Sequence, residues 1–185
     1  MISVFGYKVM LTPEQEKWLA HLSDIGTVKI VPFDPTAEEK FERVKKKIQG
    51  HLGADVAVEH YGASGLGISG QDEIDVYVPV QEAKFNETVE ALRKLFGELR
   101  SSYPLKRARF VTEEQGKHVD IFVINKEHES WDKLVRFQHI LKTNPEVLES
   151  YRKLKEEGDG LNIREYYRRK LIFINRAEKG SGTFI

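Results

Sequence analysis

Apolar positions recur along the chain with two periods, and the changes between them mark the expected elements. "TPEQEKWLAHL" opens with Thr12, Pro13 and Gln15, a capping box with proline at the first helical position, so a short helix follows. "DPTAEEKFERVKKKIQGHL" repeats the start signal with Thr36 and Glu39. Phe41, Val44, Ile48 and Leu52 then fall at helical spacing, up to a stop at Gly53. "KFNETVEALRKLFGEL" is a further amphipathic helix. "TVKIVPF", ended by Pro32, "ADVAVEHYG" and "EIDVYVPV" read as strands. "LKRARFVT" and "KHVDIFVIN" flank a turn at "EEQG" as a β-hairpin.

The last third carries only the helical period. "SWDKLVRFQHILKT" runs to Asn144-Pro145, which closes one helix and starts another, "PEVLESYRKLKEE". "GDG" interrupts, and Asn162 with Glu165 caps "NIREYYRRKLIFINRAE". The tail "KGSGTFI" is expected to be mobile unless Phe184 docks. Trp131, Phe137, Leu141, Leu148, Tyr151 and Leu154 are the expected core of this region. The order of elements predicts an α+β fold. A small mixed sheet carries helices on it, and residues 127–180 form a helical C-terminal lobe of a single domain, 1–185.

Composition narrows the partners. Lysine plus arginine (29) equals aspartate plus glutamate (29), so no general field draws the chain to nucleic acid or membrane. The absence of cysteine removes disulfides, thiolate metal sites and cysteine nucleophiles. No apolar run is long enough to span a bilayer, and the N-terminus lacks the basic start and long apolar core of a secretory signal. A cytoplasmic location is the expectation.

The chemistry concentrates in "EHYGASGLGISGQDEIDVYV". Alternate residues of a strand share a face, so Glu73 and Asp75 point the same way while Ile74 points to the core. Two carboxylates about 6–7 Å apart along a strand can converge on a hard dication. The glycines before them let backbone N–H groups approach an anion, and Ser64 can add a hydroxyl. Asp120 interrupts the apolar pattern of "HVDIFV" and shares its face with His118 and Phe122. Three acids on two strands beside a glycine loop suit two-metal phosphoryl transfer.

These residues carry a resemblance. Gly62, Ala63, Glu73 and Asp75 resemble the glycine-serine, spacer, acid-apolar-acid signature of the polymerase-β-like nucleotidyltransferase superfamily. Within it the chain is similar to the GrpB family, on "VPFDPTAEEKF", "VEHYGASGLG", "IDVYV" and "WDKLVRFQHILKTNPEVLESYRKLK" in that order. The resemblance implies a nucleotidyltransferase-like fold and transfer of a nucleotidyl group from a nucleoside triphosphate to a hydroxyl acceptor. Glu73, Asp75 and Asp120 would carry Mg2+ or Mn2+, and Gly62, Ala63 and Ser64 would hold phosphates. The chain departs from the pattern in two places. Ala63 stands where the pattern has serine, with Ser64 one place later, and Glu73 stands where many members are apolar. A module that keeps the fold and binds a nucleotide or a protein without catalysis is the alternative.

Each of these residues also has a plainer role. Glu73 and Asp75 could be solvated acids on an exposed strand face, and the metal-site reading is preferred because of the loop and Asp120. With the hairpin turning at Glu113–Gly116, Arg109 falls roughly opposite Asp120, where it either neutralises that acid or meets a nucleotide phosphate. His60 is expected to buttress the loop by hydrogen bonding its backbone, and His118 to be a surface histidine rather than a ligand or base. Arg136 and His139, and the basic run Arg164 to Lys170, are expected to be solvated helix faces; nucleic acid is not an expected partner.

Overall fold

The structure, a computed structural model, describes residues 10–180. The fold is α+β and divides into two units. One runs from Val31 to Gln138; the other joins the segment up to Ile30 with the segment from His139 onward.

The first unit is built on a five-stranded sheet in the order β1-β2-β5-β4-β3. Its strands are β1 (Glu59–Tyr61), β2 (Glu73–Val80), β3 (Ser101–Tyr103), β4 (Arg107–Glu114) and β5 (Lys117–Asn125). β2 and β5 pair in parallel; the other pairs are antiparallel. The chain leaves β2 through helix α4 (Glu82–Phe96), the kind of crossover that a parallel pair requires. Helices α2 (Ala37–Leu52) and α4 cover one face of the sheet. Phe41, Val44, Ile48, Phe85, Val89 and Leu92 meet Ile74, Val76, Val78, Val119, Ile121 and Val123 there, in one apolar core. β5 turns from β4 through Gln115 and Gly116, both at positive φ as a two-residue hairpin turn demands.

The other unit is helical. Helix α1 (Pro13–Ala20) has both halves of its capping box, Gln15 N donating to Thr12 Oγ at 3.2 Å and Thr12 N to Gln15 Oε1 at 2.9 Å. Helix α5 (Glu129–Thr143) begins in the first unit and ends in this one, and α6 (Pro145–Glu156) and α7 (Ile163–Glu178) follow. The side chains of Asn144 and Asn162 cap the last two, as their sequences predict. Tyr151 and Phe173 pack α6 on α7, with ring centroids 5.3 Å apart. Of the six residues expected as core, Phe137, Leu141 and Tyr151 are buried, while Trp131, Leu148 and Leu154 are half-buried.

Four local expectations are corrected. "TVKIVPF" is not a strand: Thr27 and Val31 each make only an isolated bridge, to Asn162 and Gly70, and a proline donates nothing to a ladder. "ADVAVEHYG" pairs over only three residues. The edge strand β3, with the sequence "SSY", lacks an apolar alternation and was not expected. Thr36 makes no side-chain cap to α2. Asp34 organises that turn instead, accepting from Thr36 N (2.9 Å), Thr36 Oγ (2.7 Å) and Lys40 Nζ (2.7 Å). The Lys40 ammonium, then the Thr36 donors, hold the Asp34 carboxyl far below the usual carboxylate range. Of the tail, Thr183, Phe184 and Ile185 with the two residues before them lie outside the described residues. No helix among the described residues is long and apolar enough to cross a membrane.

Candidate functional site

The side of β2 and β5 turned away from α2 and α4 carries the polar chemistry. β2 alternates strictly: Ile74, Val76 and Val78 are buried, and Glu73, Asp75 and Tyr77 are half-buried on the opposite face. The parallel register sets Glu73 beside His118, Asp75 beside Asp120 and Tyr77 beside Phe122. An acid thus stands next to an acid, with neighbouring strands about 4.8 Å apart. Tyr77 stacks on Phe122 at 4.8 Å, and Tyr61 and Trp131 pack against Tyr77, so aromatic rings adjoin the acids. Burial, and then the hydrogen bond that Tyr61 gives to Glu59, push the Tyr61 hydroxyl well above its ordinary pKa.

Asp120 is the most enclosed of the acids, its side chain 5% exposed. Arg109 grips it with two bonds, Nε to Oδ1 at 2.9 Å and Nη2 to Oδ2 at 2.8 Å, and His118 Nε2 lies 3.0 Å from Oδ1. Such a fork satisfies a carboxylate geometrically and electrostatically. The expected register is corrected in detail. Val111 is the residue opposite Asp120, Arg109 is opposite Phe122, and the long arginine side chain reaches its acid diagonally.

Among the described residues, Glu73, His118 and Asp120 form a group whose ligand atoms all lie within 4.8 Å of one another. His118 therefore sits with the acids rather than apart from them. Asp75 is oriented toward the glycine turn. A Cβ built on Gly62 would stand 1.9 Å from Asp75 Oδ2, so the bare Cα of Gly62 is what lets the carboxylate approach, and its φ of +72° suits glycine as well.

The "GASG" stretch is a single helical turn, α3 (Gly62–Gly65). Gly70 closes over it: a Cβ there would meet the Ala63 methyl at 2.6 Å, which gives residue 63 little space for anything larger. Ser64 is held by a side-chain chain that begins on α2. Glu38 Oε2 lies 2.8 Å from His60 Nδ1, and His60 Nε2 lies 3.1 Å from Ser64 Oγ. His60 stacks on Phe41 at 4.5 Å with its side chain 7% exposed. His60 meets the loop through the Ser64 hydroxyl, a side chain, where a bond to loop backbone was expected.

Sequence reasoning passed over Lys117 and Asp34. Lys117 is buried at the start of β5, bonded to Asp72 and 3.6 Å from Asp34. With Ser64 and Glu73 these residues line one small cleft. The only sequence signal was a lysine inside a strand pattern beside the hairpin turn, and it carries no address for its partners. The basic run on α7 is occupied within its own unit. Arg168 makes a double contact with Glu16 (2.7 and 2.9 Å), Arg169 meets Glu165 at 2.7 Å, and Arg164 Nη2 donates to the Leu22 carbonyl at 2.8 Å. Arg136 and His139 are exposed on α5, as expected.

Known proteins resemble this chain. The crystal structure of the conserved protein GrpB from Enterococcus faecalis superposes with a TM-score of 0.62 at 18% identity, covering 83% of this chain and 99% of that one. That likeness is one of fold. The UPF0157 protein of Vibrio cholerae serotype O1 is 25% identical over 146 residues, which are 78% of this chain and 77% of the relative. The model of the GrpB protein family matches residues 27–180, from the first bridge to just past the end of α7, and the chain therefore belongs to the GrpB family.

Proposed function

We propose that this GrpB-family chain is a metal-dependent nucleotidyltransferase that moves a nucleotidyl group from a nucleoside triphosphate to a hydroxyl acceptor. The observation that carries the reading is the register of β2 on β5, which puts Asp75 beside Asp120 on the same face as Glu73, directly against the α3 turn. The donor set fits Mg2+ or Mn2+, because carboxylates on adjacent strands offer hard oxygens at close range. Such ions, when bound, supply positive charge to the attacking and leaving oxygens.

The chain's own residues do the rest. Glu73, Asp75 and Asp120 hold the ions. Asp120 would take the acceptor's proton. Gly62, Ala63 and Ser64 line the approach for the terminal phosphates, with the Ser64 hydroxyl oriented by His60. Arg109 would meet a phosphate once it leaves Asp120. The acceptor oxygen bonds to the α-phosphorus, the bond to the bridging oxygen breaks, and pyrophosphate departs with its electron pair. One observation favours a second reading. The third acid is already neutralised by Arg109, as it would be in a module that binds nucleotide and does not turn it over.

Calorimetric titration of Mg2+ or Mn2+ with several nucleoside triphosphates separates these from a chain with no such site. Saturable, metal-requiring binding that disappears in Asp75→Asn is expected, followed by pyrophosphate release once an acceptor is supplied. Binding without release across a broad panel of acceptors favours the binding module. No metal-dependent binding by the wild type ends the enzyme reading.

A further inference from the structure

We propose that Glu73, His118 and Asp120 form a mixed nitrogen–oxygen site for a first-row transition dication such as Mn2+, with Arg109 as the counter-ion that occupies it when metal is absent. The inference rests on the metal-dependent reading above and deepens it by naming the ligand set and the kind of ion. Its first ground is geometry. The three ligand atoms already lie within 4.8 Å of one another, and three donors at about 2.0–2.2 Å from one ion are roughly 3–3.5 Å apart, so only a small closing movement is needed. His118 has the freedom to make it, because its side chain is 44% exposed and belongs to a strand whose backbone is fixed in the sheet.

The second ground is donor chemistry. Mg2+ takes oxygen ligands and keeps much of its water, whereas an imidazole nitrogen favours ions further along the first transition row. His118 presents Nε2 inward, 3.0 Å from Asp120 Oδ1, and that is the atom a metal would share with the carboxylate. A site made of Glu73, Asp75 and Asp120 alone would carry no such preference. Asp75, turned to Gly62, is not one of this group.

The third ground is the arginine. A guanidinium stays charged at every accessible pH and its fork matches a carboxylate, so Arg109 on Asp120 is a resident cation at the place a dication needs. Metal binding must displace it. The guanidinium also lies 5.9 Å from the centroid of the Phe122 ring, which Arg107 (5.4 Å) and the stacked Tyr77 (4.8 Å) already engage. Lys117 is not a rival for the same acid, because it is committed to Asp72 and Asp34. Removing the arginine charge therefore strengthens metal binding, the opposite of what its loss would do if it only steadied the site.

The test is electron paramagnetic resonance of Mn2+ titrated into the nucleotide-free full chain, with Mg2+ as competitor and circular dichroism to show that each variant is folded. One Mn2+ per chain is expected with high affinity, with Mg2+ competing only at about tenfold or greater excess. His118→Gln should weaken Mn2+ by about tenfold or more and abolish the nitrogen modulation in the pulsed spectrum. Arg109→Met, which keeps the volume and loses the charge, should tighten Mn2+ several-fold. Equal affinity for Mg2+ and Mn2+, or Mn2+ binding unchanged in folded His118→Gln, overturns the ligand set. Unchanged or weaker binding in folded Arg109→Met overturns the counter-ion. Because no nucleotide is present, failure here leaves the nucleotide titration standing, and a failed nucleotide titration leaves this result standing.

Discussion

The two faces of the β2–β5 pair come from the same residues in alternation, yet they solve different problems. Toward α2 and α4 the pair presents Ile74, Val76, Val78, Val119, Ile121 and Val123, all fully or almost fully buried. On the other side it presents Glu73, Asp75 and Tyr77 beside His118, Asp120 and Phe122. The first face gains free energy from removing apolar area from water. The second gathers three acids on neighbouring positions and spends an arginine to neutralise one of them. Stability should therefore be lost through one face and binding through the other, and the strand that carries both lets the separation be tested.

The strongest perturbation belongs to the apolar face. Ile121 is fully buried in the middle of β5, one position from Asp120. Ile121→Ala should lower the unfolding free energy by about 2–5 kcal/mol, read from urea denaturation, because the cavity at a central strand collapses poorly. Metal–nucleotide affinity, measured on the folded fraction, should change little. A large loss of affinity at full folding would mean that the faces are mechanically coupled through the β5 backbone.

An intermediate effect is expected where the second face meets its loop. Gly62→Ala places a methyl into the space of the Asp75 carboxylate and forces alanine to a φ of +72°. A stability loss of about 1–3 kcal/mol should follow from backbone strain, with a loss of binding as Asp75 is pushed from its place. Denaturant unfolding paired with the calorimetric titration checks both. Loss of stability with intact binding would show that the contact between Gly62 and Asp75 is structural only.

What could be read in the sequence follows the same division. β2 lies next to the edge of the sheet and alternates cleanly, so Glu73 and Asp75 were legible as a pair on one face. The hairpin was legible from "EEQG", which brought Arg109 near Asp120 within two residues of the true register. β5 is central and buried on both faces, so its pattern was a continuous apolar run in which Asp120 stood out by its charge alone. Parallel pairing of β2 with β5 could not be read, since no local pattern says which strands meet across a long crossover. For the same reason the sequence showed His118 on the face of Asp120 without showing that Glu73 stood beside it. "TVKIVPF" misled because β-branched residues with a terminal proline suit an extended loop as well as a strand.

The smallest expected change in stability is the most informative about the polar face. Glu73 is half-buried, shares its strand face with Asp75 and lies within ligand distance of Asp120. Glu73→Gln keeps the shape and removes a charge from a crowded set of like charges, so in metal-free protein the melting temperature should stay level or rise, within about 0.5 kcal/mol of stability. Saturating Mn2+ should reverse the order. An ion that binds only the folded state stabilises it by mass action, and the wild type holds that ion more tightly than the variant. Thermal melts with and without Mn2+ thus cross over if the acids are kept for a ligand. If Glu73→Gln instead costs stability without metal and metal adds nothing to either protein, the carboxylate is there for the fold, and the two faces differ less in purpose than their chemistry implies.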